Sequence, residues 1–276
     1  MKFVHTVLAA SLALVIAGQA QAAVSAQEAA KLGKELTCVG AEQAGNAAGT
    51  IPPYTGKYLG EVPGWNHVKF SGDQPVDPYA SEKPILVITA QNMSQYETHL
   101  TEGQKALLKK YPTTYKMNIY PGHRDFRYPD YVCRRAMQNA LTAKLVNDGM
   151  GFEGLGQVPF PIPKNGMEVL WNHQLPARAY TEEKISDLAS VLPNGNIGWG
   201  RAHARNLSLA NSPTVEPKTE DKVQAMSYNT TLKPARDNGV ISIAHEPYNF
   251  ATESRQAWAY SPSTRRVRQM PGYGYD

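Results

Sequence analysis

The chain predicts an α+β protein carrying an antiparallel sheet. Two observations point there. Beyond residue 176, alternating runs are joined by tight turn signals, and consecutive hairpins build antiparallel sheet. Before residue 175, apolar residues recur at helical spacing behind recognisable start signals. A helix-rich 23–175 and a strand-rich 176–276 are therefore expected within one domain spanning 23–276.

Ser25 to Leu36 reads as a short helix. Ser25 and Glu28 form a capping-box pattern, and Ala29, Leu32 and Leu36 share a face. Gly40 to Tyr58 is rich in Gly, Ala and Pro and is expected to be irregular. Lys83 to Ala90 suits a buried strand, with a buried turn of helix as the alternative. Thr101 caps a helix running to Lys110, with Pro112 just past its end. Tyr115 to Ile119 alternates and reads as a strand. The strongest helix pattern runs from Pro129 to Asn147. It places Val132, Ala136, Ala140 and Lys144 on a face with Cys133, Met137 and Leu141, turned to the interior. The string Pro159-Phe160-Pro161-Ile162-Pro163 enforces an extended path and reads as a strap over the core rather than a proline-recognition ligand. Glu168 to His173 reads as a short helix.

In the second half, Lys184 to Leu192 and Ile197 to Arg205 flank the turn Pro193-Asn194-Gly195-Asn196. The second of these runs has two unlike faces. Ile197, Trp199, Arg201, His203 and Arg205 point one way; Gly198, Gly200, Ala202 and Ala204 point the other and would admit a close neighbour. Val223 to Leu232 and Val240 to His245 flank Asp237-Asn238-Gly239. Arg255 to Tyr260 and Arg265 to Met270 flank Ser261 to Thr264.

The first 22 residues bear on location. A positive Met1-Lys2, an apolar run from Val7 to Ala17 and the small-residue end Ala20-Gln21-Ala22 form a secretory leader, with cleavage expected after Ala22 and a periplasmic destination. The apolar run is shorter than the roughly 20 residues a bilayer span needs. The net charge of +4 falls to +3 with the loss of Lys2, and no long basic run predicts nucleic-acid binding. In an oxidising compartment the only two cysteines predict a Cys38–Cys133 disulfide; the alternative is a pair of buried thiols.

Catalytic signatures are sparse. The nucleophile elbow G-x-S-x-G, H-E-x-x-H, the phosphate loop and G-x-G-x-x-G are all missing from the sequence. His245 and Glu246 are adjacent on a strand and so face opposite sides. Asp125, Asp130, Glu153 and Glu168 lack a partner at sequence level, although a glycosidase-type pair could lie among carboxylates distant in sequence. No enzyme activity, metal or other cofactor is expected. Trp258 with Tyr260, and Ile241 with Ile243, share faces suited either to an apolar pocket or to ordinary core packing. Arg265, Arg266 and Arg268 form the densest basic cluster, read as a protected sheet edge or as a surface for anionic lipid headgroups or an acidic partner.

Several segments resemble one family: Leu36-Thr-Cys-Val-Gly-Ala-Glu42 with Gly45-Asn46 and Thr50-Ile-Pro-Pro53; Leu107 to Pro112; Pro159 to Gly166 with Leu170-Trp-Asn-His173; and Gln256-Ala-Trp258 with Tyr260, Pro262 and Arg265 to Arg268. They are similar to a bacterial exported family of unknown function described as outer-membrane lipoprotein-sorting-like. The resemblance implies the fold of the periplasmic lipoprotein carrier and its outer-membrane receptor, an open half-barrel with helices on the concave side and a cavity for acyl chains. It also implies a longer chain, so that this one is expected to be an N-terminal portion with an incomplete sheet. The leading expectation is a non-enzymatic periplasmic carrier of lipid or lipoprotein acyl chains, contacted by Trp171, Trp199, Arg201, Ile241, Ile243, Trp258 and Tyr260, with Arg201 bonded to carbonyls of a plugging helix. The alternatives are an envelope adaptor working with an exporter or outer-membrane protein, and a carboxylate-dependent envelope hydrolase.

Overall fold

The computed structural model describes residues 24–57 and 76–271. The leader, its cleavage site and the final five residues lie outside the described residues. Two compact units emerge, one from residues 42–127 and one from the chain on either side of it. The expectation of one domain over 23–276 thus meets a chain in which 42–127 gathers on itself.

In the unit 42–127, residues 42–57 contain no helix or strand, as their composition predicts. Side chains order this stretch. Asn46 donates to Thr50 and accepts from the Ile51 N–H, and Arg124 donates to the carbonyls of Glu42 and Pro52. Strands β1 (Leu86–Ile88) and β2 (Met117–Ile119) pair antiparallel. Helix α2 (Glu102–Lys110) starts at a Thr101–Gln104 capping box; helix α1 (Ala26–Ala29) belongs to the other unit. Ile88, Leu100 and Leu108 make the local core, with Leu86, Met93, Tyr96, Met117 and Ile119 against it.

In the larger unit, α1 holds a single turn behind its Ser25–Glu28 box, shorter than Ser25–Leu36 predicts. Gly33 at φ 77° turns the chain before a second turn forms. Ala29 and Leu32 are buried all the same, against Val24 and Ala140. Helix α3 (Asp130–Thr142) follows Pro129 and buries Val132, Arg135, Ala136, Asn139 and Ala140. Met137 and Leu141 are exposed, which corrects their assignment to the interior face. The helix also stops short of Asn147. Strands β3 (Lys144–Val146) and β4 (Gly151–Glu153) form a hairpin instead, turned by Asn147, Asp148 and Gly149, all at positive φ. Asn, Asp and Gly tolerate that conformation, so local turn chemistry ends the helix.

Asn139 holds the next loop. Its Oδ1 accepts the Leu155 N–H at 2.8 Å, and its amide faces the carbonyls of Leu155, Gln157 and Val158. The proline strap then runs buried from Val158 to Pro161. Asn172, on helix α4 (Gly166–Gln174), pairs with both the N–H and C=O of Phe160. The strap therefore belongs to the core. Phe152, Phe160, Trp171, Leu175 and Tyr248 pack there with Ala143 and Ala210.

Six strands complete the unit: β5 (Thr181–Val191), β6 (Ile197–Leu207), β7 (Val223–Lys233), β8 (Ile241–Pro247), β9 (Gln256–Ser261) and β10 (Arg266–Gln269). They form one antiparallel sheet in chain order, with β5 and β10 at the two edges, so it is open rather than closed into a barrel. The main core meets this sheet at strand ends, through Ala210 after β6 and Tyr248 after β8, and not through the side chains of one face. Helices expected on a concave face are thus found at the end of the strands. The Gly/Ala face of β6 also behaves differently from expectation. The nearest atoms to Gly198 and Gly200 belong to neighbouring strands, at Ser190, Leu188 and Lys233, and not to a second layer.

Cys38 and Cys133 are bonded, with Cα atoms 5.1 Å apart, as the cysteine count predicts. The bond ties the segment after α1 to α3 across a sequence separation of 95. Replacing both cysteines by serine is expected to cost about 2–5 kcal/mol, read as a lower urea midpoint that matches reduced wild type.

Candidate functional site

Cross-strand register decides which side chains of the large sheet stand together, because residues directly opposite share a face. One row runs Glu183, Arg205, Tyr228, Ile243, Trp258, Gln269. The next runs Ile185, His203, Thr230, Ile241, Tyr260, Val267. Arg201 and Trp199 continue the same face along β6, opposite Asp187 and Ala189. Six of the seven ligand residues expected from sequence, Trp199, Arg201, Ile241, Ile243, Trp258 and Tyr260, therefore lie on one face of one sheet.

That face is open. Trp199 is 59% exposed, Ile185 43% and Ile243 37%. The opposite face carries small residues, with Ala204, Ala244 and Ala257 buried. Trp171 stands elsewhere. It is 3% exposed within the strand-end core, donates Nε1–H to the Gly149 carbonyl at 2.9 Å and stacks on Phe250. It also lines a separate apolar pocket of about 210 Å³ with Met150, Met167, Leu170 and Phe250.

Charges cross the open face along β5 and β6. Arg201 grips Asp187 through Nε and Nη2 at 2.6 and 2.7 Å. This corrects its assignment to helix carbonyls. The pair is bidentate because guanidinium and carboxylate match in geometry. Glu183 Oε1 accepts from Arg205 Nε at 3.0 Å and lies 2.7 Å from His203 Nε2. These bonds from Arg205 and then His203 hold the Glu183 carboxyl below the usual carboxylate range, and the Arg201 bond does the same for Asp187.

Between these charges and β8 lies a groove of about 420 Å³, lined by Leu207, Met226, Tyr228 and Ile243 together with Glu183, Arg205 and His245. The His245 ring sits edge-on to Trp258, centroids 5.1 Å apart. Glu246 turns to the opposite face and pairs with Arg255, so no His245–Glu246 dyad forms. Sequence reasoning missed Leu207, Met226, Tyr228 and Arg205 as groove residues. The period-two pattern marks each strand's faces, but only the register brings them together.

The remaining carboxylates serve local structure. Glu153 pairs with Lys144, Glu168 accepts from the Lys164 N–H at the start of α4, and Asp130 opens α3. In the unit 42–127, His123 lies between Glu82 and Asp125, with Tyr79 stacked on its ring at 3.7 Å. Among the described residues, no group of His, Cys, Asp and Glu could hold a metal ion, and no helix is long and apolar enough to cross a membrane.

An open antiparallel meander with an uncovered apolar face, joined at its strand ends to a helical core, defines the class as α+β. The chain belongs to the family described as "Protein of unknown function (DUF1329)", which it matches over residues 87–276. It is 40% identical over 274 residues to an uncharacterized protein of Pseudomonas aeruginosa, and that match covers 99% of this chain and 59% of the relative's length. No solved structure matches.

Two tryptophans separate core from open face. Trp171→Ala is expected to lower stability by about 3–5 kcal/mol and Trp199→Ala by less than about 1 kcal/mol, read from urea unfolding. Acid adds a second expectation. A carboxyl whose folded pKa is depressed stabilises the fold above its ordinary pKa, and that contribution fades as pH falls through the folded value. Glu183→Gln should therefore flatten the acid limb of the urea midpoint against pH, by a small amount because the cluster is exposed.

Proposed function

We propose that this chain is a non-enzymatic periplasmic binding or carrier protein for the acyl chains of lipid or lipoprotein. The observation that carries the reading is the apolar array Ile185, Trp199, Ile241, Ile243, Trp258 and Tyr260 on one open sheet face. Ile241, Ile243, Trp258 and Tyr260 are neighbours across β8 and β9, and exposed apolar surface of this kind marks an interaction site. An acyl chain gains about 0.8 kcal/mol per buried CH₂, which makes such a surface useful to a molecule that must cross water. In this reading the sheet curls as in half-barrel lipoprotein carriers, with the apolar face as its lining. The leader pattern at residues 1–22 supports export to the periplasm.

Native mass spectrometry of protein purified from the periplasm without detergent tests the proposal. A mass excess that disappears on denaturation, with lipid in the extract, is the expected result. A folded apo monomer that binds no fatty-acyl probe would overturn it and move the reading to an envelope adaptor. The exposed Met150, Met167, Val169 and Leu170 around the second pocket would then be the surface to probe.

A further inference from the structure

We infer that the groove between β6, β7 and β8 takes a single acyl chain ending in a carboxylate, a long-chain fatty acid, with Arg205 holding the acid group. The inference rests on the acyl-binding reading above and names the chemistry of its ligand.

The polar groups of the groove argue for it. Glu183 is the carboxylate of the open face nearest Arg205, and its Oε1 is already engaged by Arg205 Nε and His203 Nε2. Asp187 is closed off by Arg201. Arg205 keeps donors in reserve. Arg205 uses only Nε among the described residues, so both of its terminal nitrogens stay available, and its side chain is 60% exposed. The Tyr228 hydroxyl and the His245 ring also line the groove and make no hydrogen bond among the described residues. The terminal N–H groups of Arg205 only donate, and the Tyr228 hydroxyl and the His245 ring can each donate one bond, a set that fits a ligand end that only accepts.

Charge and size narrow the class. Glu183 is paired with Arg205 and His203, and Glu182, which also lines the groove, with Lys184; the groove therefore has no positive surplus to meet a second negative charge, which favours a carboxylate over a phosphate monoester. The terminal nitrogens of a guanidinium form a planar fork matched to a carboxylate. Leu207, Met226, Tyr228 and Ile243 supply apolar wall beside that fork. At about 420 Å³ the groove sits near the lower end of small-molecule sites, suited to one chain rather than two.

The test compares palmitate with methyl palmitate, which has the same chain but no charge, by displacement of a fluorescent acyl probe at neutral pH. Wild type is expected to prefer palmitate by about tenfold or more, the scale of one charge-assisted bond. Arg205→Gln should abolish that preference, and Arg205→Lys should restore part of it. Glu183→Gln moves the other way: freeing Arg205 should raise the palmitate preference, an outcome that a misfolded variant cannot mimic. Equal binding of the two ligands to wild type, or a preference that survives Arg205→Gln, overturns the inference and leaves the carrier reading standing. Failure of both ligands to bind wild type removes the carrier reading as well. A concentration-dependent dimer that excludes palmitate would place a second copy on this face and overturn the inference too.

Discussion

Helix α3 is the constraint on which the larger unit depends, because almost every turn of it anchors a different loop. Cys133 fixes the segment after α1 through the disulfide. Arg135 reaches the carbonyls of Ser212 and Val215, in the connection between β6 and β7, at 2.6 and 2.9 Å. Asn139 holds residues 155–158, and the Ala140 carbonyl accepts the Val24 N–H. A loop-rich chain has few ladders to satisfy its backbone, and buried carbonyls without partners are costly. Here one helix supplies the missing donors. Arg135 illustrates the compromise. Its guanidinium is almost wholly buried, which lowers its pKa from the usual arginine value, yet it faces carbonyls rather than a carboxylate. A cation that bonds two carbonyls across 77 and 80 residues ties topology more than it adds charge pairing.

The division of labour in the large sheet follows from that anchoring. A sheet face must be buried against something or left to water. The strand-end core of Phe152, Phe160, Trp171 and Tyr248 fastens the sheet by its ends, so neither face has to carry the packing that a sandwich would demand. Small residues on one face, Ala204, Ala244 and Ala257, bury themselves at little cost. Large residues on the other remain uncovered. Both edges are protected: β10 carries Arg266 and Arg268, and β5 carries Glu182, Glu183, Lys184 and Asp187, charges that discourage edge-to-edge pairing. The sheet is thus armed against its own kind while keeping an apolar face open.

Much of this was legible from the amino acids. The capping boxes at Ser25 and Thr101, the hairpin turn at Asp237 to Gly239 and the cysteine pair each act through local or compartmental chemistry. Six of the seven expected ligand residues fell on one face because strand alternation is a short-range property. What failed needed longer-range information. Lys144 to Asn147 carries a helical pattern, but Asn147-Asp148-Gly149 is a better hairpin turn and took the segment into β3. Trp171 reads as a ligand residue because an aromatic side chain announces apolar burial without saying against what; it packs on Phe152 and Phe250. Arg201 found Asp187 because the β5–β6 register sets them opposite each other, and register is not written in either strand alone.

The groove's composition follows from the same geometry. The charges of the open face concentrate on β5 and β6, while β8 and β9 present Ile241, Ile243, Trp258 and Tyr260. The face is therefore graded across the strands, from ion pairs at one edge to aromatic and aliphatic side chains toward the other. A uniform apolar face would attract any apolar surface, including a second copy of itself. Under the proposed function a graded face would be selective, since matching it takes a molecule that is apolar over most of its length and polar at one end. Burial supplies affinity without orientation, since hydrophobic contact is non-directional. The bonds around Glu183 and Arg205 are directional, and they sit where the apolar wall begins. In the proposed carrier, the apolar wall would supply a term that scales with ligand length, and these bonds a term that fixes which end of the ligand lies at β6.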